Sequence, residues 1–332
     1  MRNVIIVGVH RGMSEVEPLD IKQEAGRAGR VGFDPEGDAH VLLPESKFSY
    51  YKRWCENIPP IKSTMNDPDI LAFHIVSEIA SKEVYDIKTL MEWYNRSLAA
   101  FQNDHLDRVD AEELMGKLEK LNIIEVENGL YKITQLGRIA ANLYYSPYSI
   151  AGWYLNFKKV FEKDLDKDDS AIAYALGNIQ EYNSFIPKEY QHMVQGFVRK
   201  CNLNGLSIID GVAYMGFCFE CCLTYSDAIT TYDKQKAQFD MERIATALEM
   251  IDQQYARWGK GDYWKQLEMR VRYEVTWEQT ELCKYKGIGG VRVRKLFDAG
   301  IRTINDFKKN QEAAVGVLGT KLYNQIVEDN RF

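Results

Sequence analysis

The sequence predicts a mainly α-helical protein with a partial α/β fragment at its amino end. Three observations carry that expectation. From about residue 68 apolar residues recur at helical spacing, as in Ile87, Leu90, Met91, Tyr94, Leu98 and Phe101. Residues 147 to about 275 hold few prolines and many aromatics. Before residue 52 the order is instead strand, helix, strand.

Taken in order, Val4–Val7 reads as a buried strand, Asp20–Arg27 as a helix and His40–Leu43 as a second strand. Parallel sheets need several strands covered on both faces. Residues 1–52 therefore form an incomplete domain that something else must cover, in this chain or another. Residues 53–67 read as a linker. Within 68–146, Asp110 is expected to cap a helix, Ala111–Leu121. Two strands follow, Ile123–Val126 and Leu130–Ile133, joined through Glu127-Asn128-Gly129, and Asn-Gly is the strongest short hairpin signal. Helices followed by a hairpin are the order of a winged helix, which ITQLGRIAANLYYSP closes with one more short helix. Residues 147–275 predict a multi-helix bundle. In 276–332, YKGIGGVRVRKLFDAGI resembles a helix-hairpin-helix element, and VGVLGTKLYNQI a weaker second copy of it.

Composition narrows the function classes. At 332 residues the chain is long enough for two or three domains. A hydrophobic share of 45% and a charged share of 27% exclude a disordered chain. The net charge of −6 excludes a uniformly basic coat but not local basic patches. No apolar run approaches the roughly 20 residues that span a bilayer, so no membrane role is expected. Six cysteines occur, three of them clustered as Cys218, Cys221 and Cys222. No second CxxC or HxxxH pair completes a tetrahedral metal site, which leaves packed free thiols as the expectation.

The most informative stretch is QEAGRAGR, Gln23 to Arg30, lying between the two strand-like runs. Two glycines and two arginines share one short segment, and guanidinium forks on tight backbone suit nucleotide phosphates. The segment resembles motif VI of superfamily two helicases. The longer string DIKQEAGRAGRVGFDPEGDAHVLLP resembles the Ski-like branch of that superfamily. Placed end to end, a partial RecA-like α/β fragment, winged helix, helical ratchet bundle and helix-hairpin-helix resemble the C-terminal portion of HelQ-type DNA helicases, a fork-repair branch. That resemblance implies 3′-to-5′ translocation on single-stranded or forked DNA.

The resemblance also assigns residues. Gln23, Gly26, Arg27 and Arg30 would contact ATP, with Arg27 and Arg30 as arginine fingers toward the β- and γ-phosphates. The bland alternative is a Gly-Arg turn pairing with local acids such as Glu24 or Asp34. His10 and Arg11 fall near the tip of the interval that carries a duplex-parting hairpin in such enzymes; a plain surface loop is the competing reading. FDMERIATALEMI resembles the ratchet helix, read here as Asp240 to Trp258. Arg243 matches its arginine, and Met250 stands where its tryptophan would be. Arg243, Ala247, Met250, Gln254 and Arg257 would share one mixed face; a solvated surface competes with a DNA-facing one. The helix Ala111–Leu121 carries Glu112, Glu113 and Glu119 against Lys117 and Lys120, a poor balance for duplex contact. In the terminal element Gly287 and Gly289 form the turn, and Lys284, Lys286, Arg292, Arg294 and Lys295 surround it. From Cys283 to Phe332 ten Lys and Arg stand against five Asp and Glu, a local balance of +5. Non-specific DNA binding is expected there.

No GxxxxGK[ST] loop and no DExH or DEAD box occurs. In the family these sit on the first RecA-like lobe. ATP and Mg²⁺ are therefore expected only in a site shared with that lobe, and this chain alone should not hydrolyse ATP. A split helicase with a partner polypeptide, a decayed half and a fragment are the three explanations. The competing functions are a non-enzymatic DNA-binding or adaptor protein and an RNA helicase segment. The expected location is cytoplasmic, or nucleoid or nucleus when DNA-bound.

Overall fold

The computed structural model describes residues 2–8, 10–11, 14–29, 32, 36–56 and 60–330. The chain divides into two compact units, Met1–Ser63 and Thr64–Phe332.

In the first unit, β-branched residues favour extended backbone. Strand β1 is Asn3–Val7, followed by β2 (His10–Arg11), β3 (Ser14–Glu15), α1 (Pro18–Ala25), β4 (Asp38–Leu42) and α2 (Glu45–Glu56). β1 and β4 pair in parallel, from Asn3 opposite Asp38 to Val7 opposite Leu42. β2 and β3 form a minimal antiparallel hairpin. α1 begins before Asp20 because Pro18 fits the first helical turn, where no amide partner is needed. It stops at Ala25, short of Arg27. One sheet face is covered: Ile6, Ile21 and Tyr51 are buried together, with Val4, Val16, Ala25, Val41 and Leu43 around them. The other face is bare, with Ile5, Val7 and Leu42 64%, 79% and 56% exposed.

The second unit opens with α3 (Pro68–Ser81), α4 (Ile87–Asn95), α5 (Leu98–Phe101) and α6 (Arg108–Lys120). Asp67 caps α3 by accepting from the Asp69 and Ile70 amides at 2.8 and 3.4 Å. The cap of α6 is Asp107, not Asp110: its carboxylate accepts from the Val109 amide at 2.8 Å. Asp110 instead lies in the first turn, where its charge meets the positive end of the helix dipole. Strands β5 (Ile124–Glu127) and β6 (Leu130–Ile133) pair antiparallel through Asn128 and Gly129, both left-handed as a type I′ turn requires. Next come α7 (Gln135–Leu143), α8 (Pro147–Glu162), α9 (Asp169–Gly177), α10 (Gln191–Leu203), α11 (Ala213–Leu223), α12 (Thr231–Ile251) and α13 (Gly261–Tyr273). One continuous core runs from Leu71 to Val271.

The tail has a core of its own. Helices α14 (Thr280–Cys283), α15 (Gly290–Asp298), α16 (Ile304–Lys309), α17 (Gln311–Leu318) and α18 (Thr320–Asn330) pack around Val275, Leu282, Val293, Leu296, Phe307 and Ile326. The class is mainly α. No helix among the described residues is long and apolar enough to cross a membrane. Cys218, Cys221 and Cys222 are buried in α11, and burial pushes their thiols up to about 12, 11 and 12. They stay protonated near neutrality, as packed thiols do.

Candidate nucleotide and nucleic-acid interface

Gln23 lies on the exposed side of α1. The helix ends at Gly26, which keeps right-handed backbone (φ −64°), so the tight turn expected there falls later. Gly29 takes φ +75°. A Cβ on Gly37 would collide with the Gly29 amide, so the chain can only fold back here through glycine. That contact braces the loop that carries Arg27. The Arg27 side chain is exposed, and among the described residues it makes no ion pair or hydrogen bond. Arg30 lies outside the described residues. The segment thus ends a helix in the same small unit as the bare sheet face.

His10 and Arg11 form the first strand of the minimal hairpin. His10 sits 3.8 Å from Glu15, which also pairs with Lys47. Lys47 holds the Glu15 carboxyl below the usual carboxylate range. The hairpin's base is therefore tied by charge to α2.

On α12, Met241, Ile244, Ala245, Leu248 and Ile251 are buried, as one apolar stripe requires. The helix does not reach Trp258. Beyond Ile251 it widens into a π turn, Asp252–Ala256, and Arg257 becomes left-handed. Asp252 explains the break. Its buried carboxylate accepts from the Gly259 amide (2.9 Å), the Lys260 amide (2.6 Å) and the Trp264 indole (3.0 Å). These bonds pull the returning chain onto the helix end. The expected mixed face is also not uniform, because Ala247 is fully buried. Arg243 stays exposed, its guanidinium 5.1 Å over the Tyr145 ring and 5.6 Å from Phe239. Met250 is half-buried against the core.

In the tail, Gly287 has φ +94° and the turn leads through Gly289 into α15. Gly290 passes against the Tyr273 carbonyl with no room for a side chain. Among the described residues the Gly290 and Val291 amides donate to no acceptor. They open onto a groove of about 500 Å³ lined by Gly289, Arg292, Lys295, Val317, Leu318 and Leu322. The five cations are not equivalent. Arg294 donates to the Glu274 carbonyl at 2.8 Å, Arg292 to the Gly287 carbonyl at 2.5 Å, and Lys286 pairs with Asp329 at 3.5 Å. Lys284 and Lys295 make no ion pair among the described residues and are exposed.

No model of a protein family matches the chain. It aligns nearly end to end, however, with proteins named ATP-dependent DNA helicase Hel308. The proteins it matches are DNA helicases by name. It is 25% identical to the Methanocaldococcus jannaschii protein, over 96% of this chain and 27% of that one. Against the Methanococcus vannielii protein the identity is 23%, over 99% of this chain and 52% of the other. Against the Thermoplasma acidophilum protein it is 26%, over 89% and 44%. The chain thus spans about half the length of these curated relatives, or less. A DExH-box ATP-dependent RNA helicase of Arabidopsis thaliana, DExH13, matches 43% of the chain at 29% identity.

Sequence reasoning missed four side chains at these places. Lys47 lies on α2, a helix too polar to announce itself. Asp252 looks like any surface acid until the chain returns to it. Phe239 and Tyr145 meet Arg243 only through tertiary packing; the single local hint was the i, i+4 spacing of Phe239 and Arg243.

Proposed function

We propose that this chain is the C-terminal part of an ATP-dependent 3′-to-5′ DNA helicase of the HelQ type. It supplies arginine fingers to an ATP site shared with a first RecA-like lobe, carried by the same or another polypeptide, and it guides single-stranded DNA. In this reading Met1–Ser63 is the remainder of the second lobe, α3–α7 a winged helix, α8–α13 the ratchet bundle, and α14–α15 a helix-hairpin-helix.

The observation that carries it is the pairing, in one unit, of the exposed Arg27 with an uncovered apolar sheet face. A planar cation with no partner among the described residues fits a triphosphate held from outside, and Ile5, Val7 and Leu42 fit further protein laid on the sheet. Nothing in this sequence cradles phosphates or Mg²⁺ by itself, so the lobe with the phosphate loop must bring them. Alignment with Hel308 helicases along nearly the whole chain supports the same assignment. The free amides of α15, with Lys295 and Lys284, suit a DNA phosphate.

Mixing the chain with a polypeptide that carries the phosphate loop and DExH box should yield DNA-stimulated ATP hydrolysis. Arg27→Ala and Arg30→Ala should each reduce it by a factor on the order of 10³. Unchanged turnover in both variants removes the finger role. The match to DExH13 favours one second reading, an RNA helicase segment; tighter binding of a uridine strand than of the matched thymidine strand would select it.

A further inference from the structure

The bundle's grip on a base can be placed more closely, and the placement rests on the reading of the chain as a DNA-tracking element. Met250, at the position expected to stack, is half-buried against the core. Ala247, one turn before it, is sealed. That stretch of α12 offers no ring to solvent.

One turn on the amino side of Arg243 the surface changes. Phe239 keeps 62% of its area in water. An isolated exposed phenylalanine means little. This one lies beside a guanidinium that also covers Tyr145, so the cation is held between two rings. Tyr145 is itself fixed by an edge contact with Trp153 at 4.9 Å. Tyr144, left-handed at φ +57° and 78% exposed, puts its ring 6.2 Å from Phe73. Phe239 and Tyr145 therefore bring two rings to one arginine that has no carboxylate partner at ion-pair distance among the described residues.

The surrounding charge tells which part of a strand fits. Asp240 and Glu181 share the electrostatic field of Arg243 and Tyr145, with Lys236 as the added cation. Two nearby acids offset the two cations and disfavour a phosphate. A neutral base face suffers no such repulsion, and stacking on a ring flanked by arginine is sequence-tolerant.

We propose that Phe239, with Arg243 and Tyr145, forms the base-stacking site for single-stranded DNA, in place of Met250. Fluorescence anisotropy on the full chain tests it with a labelled oligothymidine and an abasic strand of equal length, which keeps the phosphates and removes the bases. Phe239→Ala should weaken oligothymidine binding about tenfold and leave abasic binding unchanged. Phe239→Trp should restore it, and Met250→Ala should leave it as it was. Lys295→Ala, as the phosphate control, should weaken both strands alike. Equal affinities for Phe239→Ala and the unaltered chain, or equal losses on both strands, overturn the assignment. If the unaltered chain binds neither strand, the DNA-tracking reading falls and takes this site with it. If it binds oligothymidine in a salt-dependent way yet ignores Phe239, only the stacking site falls.

Discussion

The units Met1–Ser63 and Thr64–Phe332 place their apolar side chains in opposite ways. The larger one buries them in a continuous core with Trp153, Trp264, Tyr94 and Phe157 at its centre, and adds a second core in its tail. The smaller one buries Ile6, Ile21 and Tyr51 and leaves Ile5, Val7 and Leu42 in water. Burial of apolar area is the main source of stability, at roughly 25 cal/mol per Å². The large unit therefore holds its own shape. The small one presents apolar area that only another surface can cover, and it also carries the arginine segment. The large unit exposes single apolar side chains, such as Phe101 and Leu203, around its cores, whereas the small one exposes a whole sheet face.

The sharpest way to break that contrast is to empty one site in each core. Trp264 is fully buried, and its indole donates to the buried Asp252 carboxylate. Trp264→Ala removes the ring and leaves that carboxylate one donor short. We expect a loss of about 3–5 kcal/mol in denaturant unfolding of the full chain. Ile21→Ala, in the small unit, should leave the main helical transition where it was. A Trp264→Ala transition that barely moves, or an Ile21→Ala transition that shifts as far, would show that the two units do not differ as described.

A second, smaller effect tests the bare face directly. Val7 is 79% exposed, so Val7→Lys should not change the unfolding midpoint of this chain. It should weaken association with the polypeptide that carries the phosphate loop by about tenfold, the rough worth of one buried valine. Thermal unfolding gives the midpoint and calorimetric titration the affinity. Equal affinity with lysine in place would mean that nothing packs on this sheet face.

Much of this arrangement was readable because its causes are local. Asn128-Gly129 announces the hairpin by backbone geometry alone, and the Met241 to Ile251 stripe announces the buried side of α12 by spacing. The rest depends on contacts the sequence does not display. ESKFSYYKRWCE forms α2 although it is polar, because Tyr51 reaches the sheet core. The end of α12 is set by Asp252 accepting amides from a later loop, so helical periodicity overran it to Trp258. Ala247 counted as outward by helical phase, yet a neighbouring element seals it. In the tail, composition revealed a basic pole but not its division of labour. Only tertiary contacts separate Arg294, held by the Glu274 carbonyl, from Lys295, which makes no ion pair among the described residues.

The smallest effect expected concerns a helix cap in the large unit and probes how far its stability is local. The Asp86 carboxylate accepts from the Thr89 amide at 2.7 Å, while the Thr89 hydroxyl accepts from the Asp86 amide at 3.0 Å. The Thr89 amide first, and then the Thr89 hydroxyl, which donates to the same carboxylate at 2.8 Å, hold the Asp86 carboxyl below the usual carboxylate range despite some opposing burial. A depressed folded value means that the stabilisation is complete above the ordinary unfolded value, near pH 4. It is lost as pH falls through the depressed folded value, where both states become protonated. Asp86→Ala should therefore cost about 1 kcal/mol at neutral pH, and the gap between the two proteins should close on acidification. Thermal unfolding from pH 7 down to pH 2 follows that gap. A difference that persists unchanged at pH 2 would assign the cap's contribution to packing around α4 and not to its charged hydrogen bonds.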